Sequence, residues 1–215
     1  FLLGEDIAEP SGGVYKVTKG LSEKHGLHRV RKTPISEQAI VGAAIGAAIA
    51  GYRPVAEIMI MDFLAVCLDQ VTNHAAKIRY MSGGQYRVPL VVRTPGGAGL
   101  GMAAQHSQSR EAWLTGIPGL VVVAPATPYD AKGLLKAAIK DDNPVIFMYH
   151  KGIMGLPWMA YLSGSSNAVP EDSYTIPFGQ ANVMKEGSDL TIANLTVDTD
   201  AGFALTDNLD GTYTL

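Results

Sequence analysis

Two side chains in this sequence have the type and the setting that proton chemistry requires, and the first is Glu37. It stands directly before Gln38–Gly51, a stretch of alanine, isoleucine, glycine and valine with almost no polar residue. A helix that is apolar on every side must be buried, and a glutamate is seldom fully buried without a partner. Glu37 therefore marks the point where the protein interior begins. The alternative is an acid in a first helical turn, where the helix dipole stabilises it.

The second side chain is His106, which ends the glycine-rich stretch Thr94–His106. Histidine titrates near neutral pH, which suits proton transfer, and the glycines indicate a backbone that bends tightly or approaches a ligand. The alternative is a solvated or capping loop histidine. Gly99–Ala104 has the Gly-x-Gly-x-x-Ala spacing of a dinucleotide-binding fingerprint. That function is rejected, because the acidic residue expected about 20 positions further on is absent from Ala124–Ala126.

Short β-branched runs alternate with helical patterns along the chain, and this alternation predicts an α/β fold with a doubly wound, mostly parallel sheet and helices on both faces. Strands are predicted at Phe1–Gly4, Arg53–Ile60, Val88–Arg93, Leu120–Ala124 and Val145–Tyr149. Helices are predicted at Gly13–His25, Ser36–Ala50, Phe63–Met81, Gln108–Thr115 and Tyr129–Lys140. In such a fold the chemistry gathers where strands end and loops begin.

The composition is that of a globular protein and excludes several classes of function. The chain has 215 residues, of which 47% are hydrophobic and 17% charged, with a net charge of −3. That charge gives no electrostatic basis for binding nucleic acid, and a single cysteine, Cys67, excludes an internal disulfide. Because no stretch has the pattern of a membrane span or a signal peptide, we expect a cytoplasmic protein. A mature chain in an organellar matrix would have the same features.

The sequence predicts three regions. Residues 1–160 form the α/β domain, 161–189 a turn-rich linker, and 190–215 a truncated or divergent start of a second domain. Extended structure is predicted at Ser173–Lys185, and the first strand of the second domain at Leu190–Ala193. Most of a carboxy-terminal domain is therefore expected to be missing from this sequence.

Eight colinear blocks of the chain carry a family resemblance that is far more specific than any single motif. They are Gly13–Leu21, Thr33–Glu37, Arg53–Met59, Asp69–Lys77, Arg79–Gln85, Arg93–Gly97, Ala104–Gln108 and Thr127–Leu134. Together they resemble the β subunit of the E1 component of 2-oxo acid dehydrogenase complexes, of the pyruvate or acetoin dehydrogenase type. Its first domain is the pyrimidine-binding domain of the transketolase-like thiamine-diphosphate enzymes. The resemblance runs from Gly4 to Ile192.

The resemblance implies a cofactor, a reaction and the residues that serve them. The cofactor is thiamine diphosphate, and the reaction is oxidative decarboxylation of a 2-oxo acid with acyl transfer to a lipoyl-bearing E2. Glu37 is similar to the carboxyl that hydrogen-bonds the pyrimidine nitrogen N1′, while Met59 and Phe63 match residues that pack against the pyrimidine. His106 matches the histidine that faces the active-site channel.

The resemblance also implies partners and ions. The Gly-Asp-Gly…Asn-Asn pattern that holds Mg²⁺ and the diphosphate in thiamine enzymes does not occur in this sequence. In two-chain E1 enzymes it belongs to the α subunit, so an α2β2 heterotetramer is expected, with self-association through β. A potassium ion is expected on main-chain carbonyls at Leu90, Ala138, Ile139, Asp141 and Asn143. The alternative for Asp141–Pro144 is a helix stop followed by a turn.

Two other functions remain open from the sequence. One is a catalytically silent assembly fragment that keeps the fold, and the other is a fragment of a transketolase-like or deoxyxylulose-phosphate synthase enzyme.

Overall fold

A computed structural model describes residues 1–98, 100–154, 168–180, 182–188, 192–194, 206–207 and 213–214 of the chain. Its strands include β1 (Leu2–Glu5), β2 (Val30–Thr33), β3 (Val55–Glu57), β4 (Val91–Gly96), β5 (Val121–Val123) and β6 (Val145–His150). These six form one sheet in the order β2-β1-β3-β4-β6-β5. Every pairing in it is parallel.

The helices connect and cover these strands. They are α1 (Leu21–His25), α2 (Glu37–Ile49), α3 (Ile78–Met81), α4 (Glu111–Leu114) and α5 (Pro128–Lys140), with 3-10 helices at Met61–Cys67 and Lys151–Ile153 and a π-helix at Gln70–Ala75. Beyond them, β7 (Asn182–Lys185) pairs with β8 (Ile192–Asn194), and β9 (Thr206–Asp207) pairs with β10 (Tyr213–Thr214), both antiparallel.

The sheet is buried on both faces by alternate residues of its strands. Ala56, Val92 and Ile146 belong to the core on the α2 side. Their chain neighbours, such as Val55 and Val91, belong to the core on the α5 side. Successive side chains of a strand point to opposite faces, so the near-continuous apolar runs fill both layers. The predicted α/β fold with a parallel sheet and helices on both faces is confirmed.

Helix α5 begins where the sequence pattern indicates. The Thr127 hydroxyl accepts a hydrogen bond from the Asp130 N–H at 3.1 Å and donates one to the Asp130 carboxylate at 2.8 Å. Pro128 occupies the first turn, where its missing N–H costs nothing. This cap fixes the start of α5 at the same sheet edge as the loops that carry the candidate site.

Three element predictions are wrong in instructive ways. Strand β2 was not predicted, because Val30 is its only apolar residue and the strand lies at the sheet edge. The predicted helix Gly13–His25 is helical only from Leu21, since the preceding segment turns repeatedly, with positive φ at Gly13, Lys16 and Gly20. The predicted helix Phe63–Met81 is divided into the 3-10, π and α3 segments.

Helix α2 is buried on one side only within the part of the chain that the structure describes. Ile40, Val41, Ala44, Ile45 and Ala48 pack into the core. The opposite side, which we call the open face of α2, consists of Ala39, Ala43, Gly46 and Ile49 and is exposed. The expectation that this helix is buried all round is therefore wrong for the chain by itself.

The region after β6 is described only in pieces. Strand β7 lies at the end of the predicted extended stretch Ser173–Lys185, and β8 overlaps the predicted strand Leu190–Ala193. Residues 155–167, which hold the first part of the predicted linker, lie outside the described residues. The division into domains at residues 160 and 189 stays a prediction. Among the described residues, no helix is long and apolar enough to cross a membrane.

Cys67 gives a test of the packing between α2 and the 3-10 helix. Its side chain is buried, and burial, with a further contribution from the charge of Glu37, raises the pKa of the Cys67 thiol to about 12. Only about one thiol in ten thousand would then be ionised at pH 8. We expect no reaction of the native chain with an aromatic disulfide reagent at pH 8, and one equivalent of reaction after unfolding in urea. Equal rates in the two states would contradict this packing.

Candidate active site

The four side chains singled out from the sequence all follow the carboxyl ends of strands. Glu37 begins α2 after β2, Met59 and Phe63 follow β3, and His106 lies in the loop after β4. Because the strands are parallel, their carboxyl ends share one edge of the sheet. All four side chains are half-buried. The fold therefore places them at one edge, where each keeps a surface that another group can reach.

Glu37 lies close enough to two titratable groups to influence both. Burial raises the pKa of the Glu5 carboxyl, and the charges of Asp6 and Glu37 raise it further. The charge of Glu37 also acts on the Cys67 thiol. Glu5 ends β1 and is in register with Thr33 of β2. The sequence analysis did not single out Glu5, although its place directly after the first predicted strand was a signal.

Phe63 and His106 are in direct contact. Their ring centroids lie 5.5 Å apart at an interplanar angle of 82°, an edge-to-face arrangement that aromatic rings prefer. Met59 lies between Ile58, whose N–H donates to the Arg93 carbonyl at 3.0 Å, and the buried Ile60. The structure thus joins Phe63 to His106 and fixes the backbone on both sides of Met59.

The loop that carries His106 is held by its own hydrogen bonds. Strand β4 runs to Gly96, further than predicted, so the loop before α4 spans residues 97–110, of which residue 99 lies outside the described residues. Gly97 adopts a φ of +87° that only glycine reaches readily, and its N–H donates to the Gln108 carbonyl at 3.1 Å. The Met102 N–H donates to the Ser107 hydroxyl at 3.1 Å. His106 therefore lies in an ordered loop, before helix α4 rather than at its start.

Three polar groups beneath this loop were missed by the sequence analysis. Lys151 is 0% exposed and Asp62 is 6% exposed, and Lys151 Nζ donates a hydrogen bond to the main-chain carbonyl of His106. Tyr15 is also buried, and its hydroxyl lies 3.8 Å from the Met102 sulfur. The available signal was an acid, Asp62, directly before Phe63 in an apolar run. Nothing in the sequence indicated that Lys151 is buried.

A second buried polar cluster lies on the α5 side of the same edge. Arg93 Nε donates to Glu57 at 2.5 Å and the Tyr149 hydroxyl donates to Glu57 at 3.1 Å. Burial raises the pKa of the Glu57 carboxyl, and the charge and hydrogen bonds of Arg93 and the hydrogen bond of Tyr149 offset part of that rise. The Arg93 guanidinium also lies 5.6 Å from the centre of the Tyr149 ring.

Four of the five carbonyls predicted for potassium already accept hydrogen bonds. Arg53 Nη1 donates to the Ile139 carbonyl at 3.1 Å and the Asp141 carbonyl at 2.6 Å, and the Leu90 carbonyl accepts from Val145 at 2.8 Å. Asp141 ends α5, and its carboxylate accepts from the Asn143 N–H at 2.8 Å. The helix stop and the turn are thus present. Each carbonyl has a second lone pair, so the cation site stays a prediction.

The candidate residues are not enclosed by the described part of the chain. Cavities of about 490 Å³ and 340 Å³ lie elsewhere, and neither is lined by Glu37, Met59, Phe63 or His106. Among the described residues no group of three or more His, Cys, Asp or Glu side chains is placed to hold a metal ion. Glu37, Met59, Phe63 and His106 thus follow the carboxyl ends of β2, β3 and β4, and Phe63 and His106 are in contact.

Comparisons with known proteins agree with this geometry. A family model described as "Transketolase, pyrimidine binding domain" matches residues 1–156. The chain is 52% identical over 200 residues to acetoin:2,6-dichlorophenolindophenol oxidoreductase subunit beta of Cupriavidus necator. It is 48% identical over 191 residues to pyruvate dehydrogenase E1 component subunit beta of Porphyra purpurea, and 48% identical over 192 residues to 2-oxoisovalerate dehydrogenase subunit beta of Bacillus subtilis. These matches confirm the resemblance to E1 β subunits.

The alignments cover most of this chain but little more than half of each relative. Each of the three alignments covers 89% of this chain and 55–56% of the relative, so the chain spans just over half the length of these curated relatives. A solved structure, "Split gene transketolase, inactive beta4 tetramer", aligns with a TM-score of 0.63 at 21% identity, over 87% of this chain and 52% of that one. At that identity the match shows the fold alone.

The Glu57–Arg93–Tyr149 cluster predicts a graded set of stabilities. Glu57→Gln leaves the Arg93 charge buried without a counter-charge, which costs about 3–5 kcal/mol of unfolding free energy. Tyr149→Phe removes one hydrogen bond and costs about 1 kcal/mol. Urea denaturation followed by circular dichroism measures both. Asp142→Asn, which removes the exposed ion pairs with Arg53 and Arg87, is the matched control. A loss for Asp142→Asn as large as that for Glu57→Gln would contradict the prediction.

Proposed function

The chain belongs to the family of transketolase pyrimidine-binding domains, and we propose that it is the β subunit of the E1 component of a 2-oxo acid dehydrogenase. One observation carries the proposal. Glu37 begins α2 at the sheet edge where Phe63 and His106 are in contact. The names of the relatives, which act in pyruvate, acetoin and 2-oxoisovalerate oxidation, support the class of reaction.

The residues at this edge fit the pyrimidine half of thiamine diphosphate. Glu37 is a half-buried carboxyl that can hydrogen-bond the ring nitrogen N1′ and share a proton there. Phe63 offers an aromatic face and Met59 an apolar side chain to the ring. When bound, the cofactor supplies the nucleophilic carbon and the electron sink for decarboxylation, while the protein supplies orientation and polarity.

His106 has the setting of a group that acts on the acyl product. Its imidazole packs edge-to-face on Phe63 and is half-buried. An imidazole can accept or donate a proton in a transfer step. We therefore assign His106 to the transfer of the acyl group to a lipoyl arm of E2, which can reach the exposed part of its side chain.

A cognate α subunit would complete the site at the amino-terminal end of α2. The sequence lacks the motif that holds Mg²⁺ and the diphosphate, so we propose that a second surface binds the diphosphate half of the cofactor. Glu37 lies in the first turn of α2, on the side that continues along Ile40, Val41 and Ala44 into the core. The open face lies on the other side of the helix and is exposed. An exposed apolar face of this kind marks an interaction site. We propose that the α subunit covers it, within an α2β2 heterotetramer in which the β subunits also pair.

The expected potassium ion belongs to a different part of the molecule. The carbonyls of Leu90, Ala138, Ile139, Asp141 and Asn143 lie around the end of α5 and the start of β6, at the opposite edge of the sheet. A cation there would have a structural role, because main-chain oxygens suit hard cations. These carbonyls lie at the amino ends of β4 and β6, whereas the candidate catalytic residues follow the carboxyl ends of β2, β3 and β4.

Replacing Glu37 tests the reaction directly. We expect Glu37→Gln to lower thiamine-diphosphate-dependent turnover by on the order of 10² or more, because a positioned proton-transfer group contributes about 10²–10⁴-fold. The assay uses 2,6-dichlorophenolindophenol as acceptor, the complete gene product co-purified with its α subunit, and pyruvate, acetoin and 2-oxoisovalerate as substrates. Glu23→Gln, an exposed acid in the first turn of α1, is the control.

The outcomes of this assay are distinct. Turnover of Glu37→Gln equal to that of the wild type would refute the role of Glu37 and with it the proposed function. A stable α–β complex without turnover on any of the three substrates would support the silent assembly fragment instead.

Gly46 gives a separate test of the open face. A Cβ built at Gly46 meets no atom within 4 Å, and replacing a mid-helix glycine gains up to about 1 kcal/mol of helix stability. We expect Gly46→Gln to leave the unfolding transition of the chain unchanged or higher, and to abolish co-purification with the α subunit. Gly116→Gln, at an exposed glycine outside the helices with equal space, is the control. Normal α binding by Gly46→Gln would place the interface elsewhere.

A further inference from the structure

We infer that the buried ammonium of Lys151 positions His106 through its hydrogen bond to the main-chain carbonyl of that residue. The catalytic meaning of this inference rests on the proposed function, whereas its structural part does not. Lys151 is a positioning residue, because it contacts the main chain of His106 and not a reacting group. The relatives' names and the family model assign it no role.

Lys151 is anchored at the end of the central sheet. It directly follows β6, whose last residue, His150, is in register with Gly96 of β4. The His150 Nδ1 accepts a hydrogen bond from the Gly152 N–H at 3.0 Å and so caps the short 3-10 helix. The Lys151 backbone is thus fixed to the sheet, and its ammonium reaches back to the carbonyl of His106, which lies 45 positions earlier in the chain.

The buried Lys151 ammonium is influenced by the charge of a buried acid, Asp62. A fully buried ammonium is expensive unless a counter-charge is close. Burial lowers the pKa of the Lys151 ammonium, and the Asp62 carboxylate acts in the opposite direction. Neither oxygen of Asp62 has a hydrogen-bond partner among the described residues. The Asp62 charge also raises the pKa of Tyr15, after the larger effect of burial. Asp62 is therefore the buried acid whose charge acts on Lys151.

His106 is contacted from two sides, by Phe63 at its ring and by Lys151 at its main chain. Asp62 and Phe63 are adjacent in the 3-10 helix after β3, and Phe63 packs against the His106 ring. Lys151, after β6, holds the carbonyl of the same histidine. The ring and the main chain of His106 are thus fixed by two different strand ends, while the loop itself comes from β4. The hydrogen bond from Lys151 thus restrains the main chain of His106, and the Phe63 contact restrains its ring.

The test compares Lys151→Met, Asp62→Asn and the double variant with Lys77→Met. Lys77 is the matched control, because its ammonium also donates to a main-chain carbonyl, that of Pro118 at 2.9 Å, but at the surface. The first readout is the NMR titration of the His106 imidazole in histidine-labelled protein. It is assigned among the five histidines of the chain with His106→Gln. The second readout is the kcat and KM for acyl transfer to a lipoylated E2 domain, beside turnover with the artificial acceptor.

We expect Lys151→Met to shift or broaden the His106 resonances and to change the midpoint of their titration. Acyl transfer should fall by on the order of 10²-fold, the effect of misplacing a reacting group by about 1 Å, and turnover with the artificial acceptor should fall much less. The double variant should unfold at higher urea concentration than either single variant, because a lone buried charge costs more than none.

Several results would overturn the inference. His106 resonances in Lys151→Met that match those of Lys77→Met would do so, as would an equal loss in both assays. Should Lys151→Met fail to fold, the double variant decides the matter: a wild-type His106 titration without the Lys151 bond would refute the positioning role. If Glu37→Gln is fully active while the His106 resonances move, the proposed function fails and the structural part of this inference stands.

Discussion

The pairing of β4 with β3 on one side and β6 on the other is the constraint on which the rest of this structure depends. All six residues of β4 are buried, and a shift of one residue would turn Arg93 to the other face of the sheet, away from Glu57. The ends of these three strands deliver Phe63, the loop of His106, and Lys151. The geometry of the candidate site is therefore a consequence of strand register.

Buried charge lies at this same edge on both faces of the sheet. On the α5 side, Glu57 has two hydrogen-bond donors, Arg93 and Tyr149. On the α2 side, the charge of Asp62 acts on Lys151, and the Lys151 ammonium donates a hydrogen bond to the His106 carbonyl in the loop. Hydrophobic residues of similar size would often stabilise a fold as well as such pairs do. A buried lysine that donates a hydrogen bond to a loop also defines the position of the loop main chain, which an apolar replacement would not do.

The parts of the fold that local sequence determines could be predicted, and the parts set by long-range contact could not. The strands of the sheet centre follow from runs such as Val88–Arg93 and Val145–Tyr149, and the start of α5 follows from Thr127 and Pro128. Glu37 could be found because an acid before an apolar helix conflicts with its surroundings. Residues 13–20 were predicted as helix, although they include two glycines and three β-branched residues, which are poor helix formers. Positive φ at Gly13, Lys16 and Gly20 turns this segment instead. Lys151 is typical of a surface residue in sequence, and only its position after β6, beneath the loop of His106, accounts for its burial.

The open face of α2 also bears on how a cell must handle this chain. While Ala39, Ala43, Gly46 and Ile49 are uncovered, the helix offers water a hydrophobic surface of small side chains that allow a close approach. Such a surface favours aggregation of the chain by itself. If the proposed partner covers this face, synthesis of the two polypeptides in step would limit that exposure.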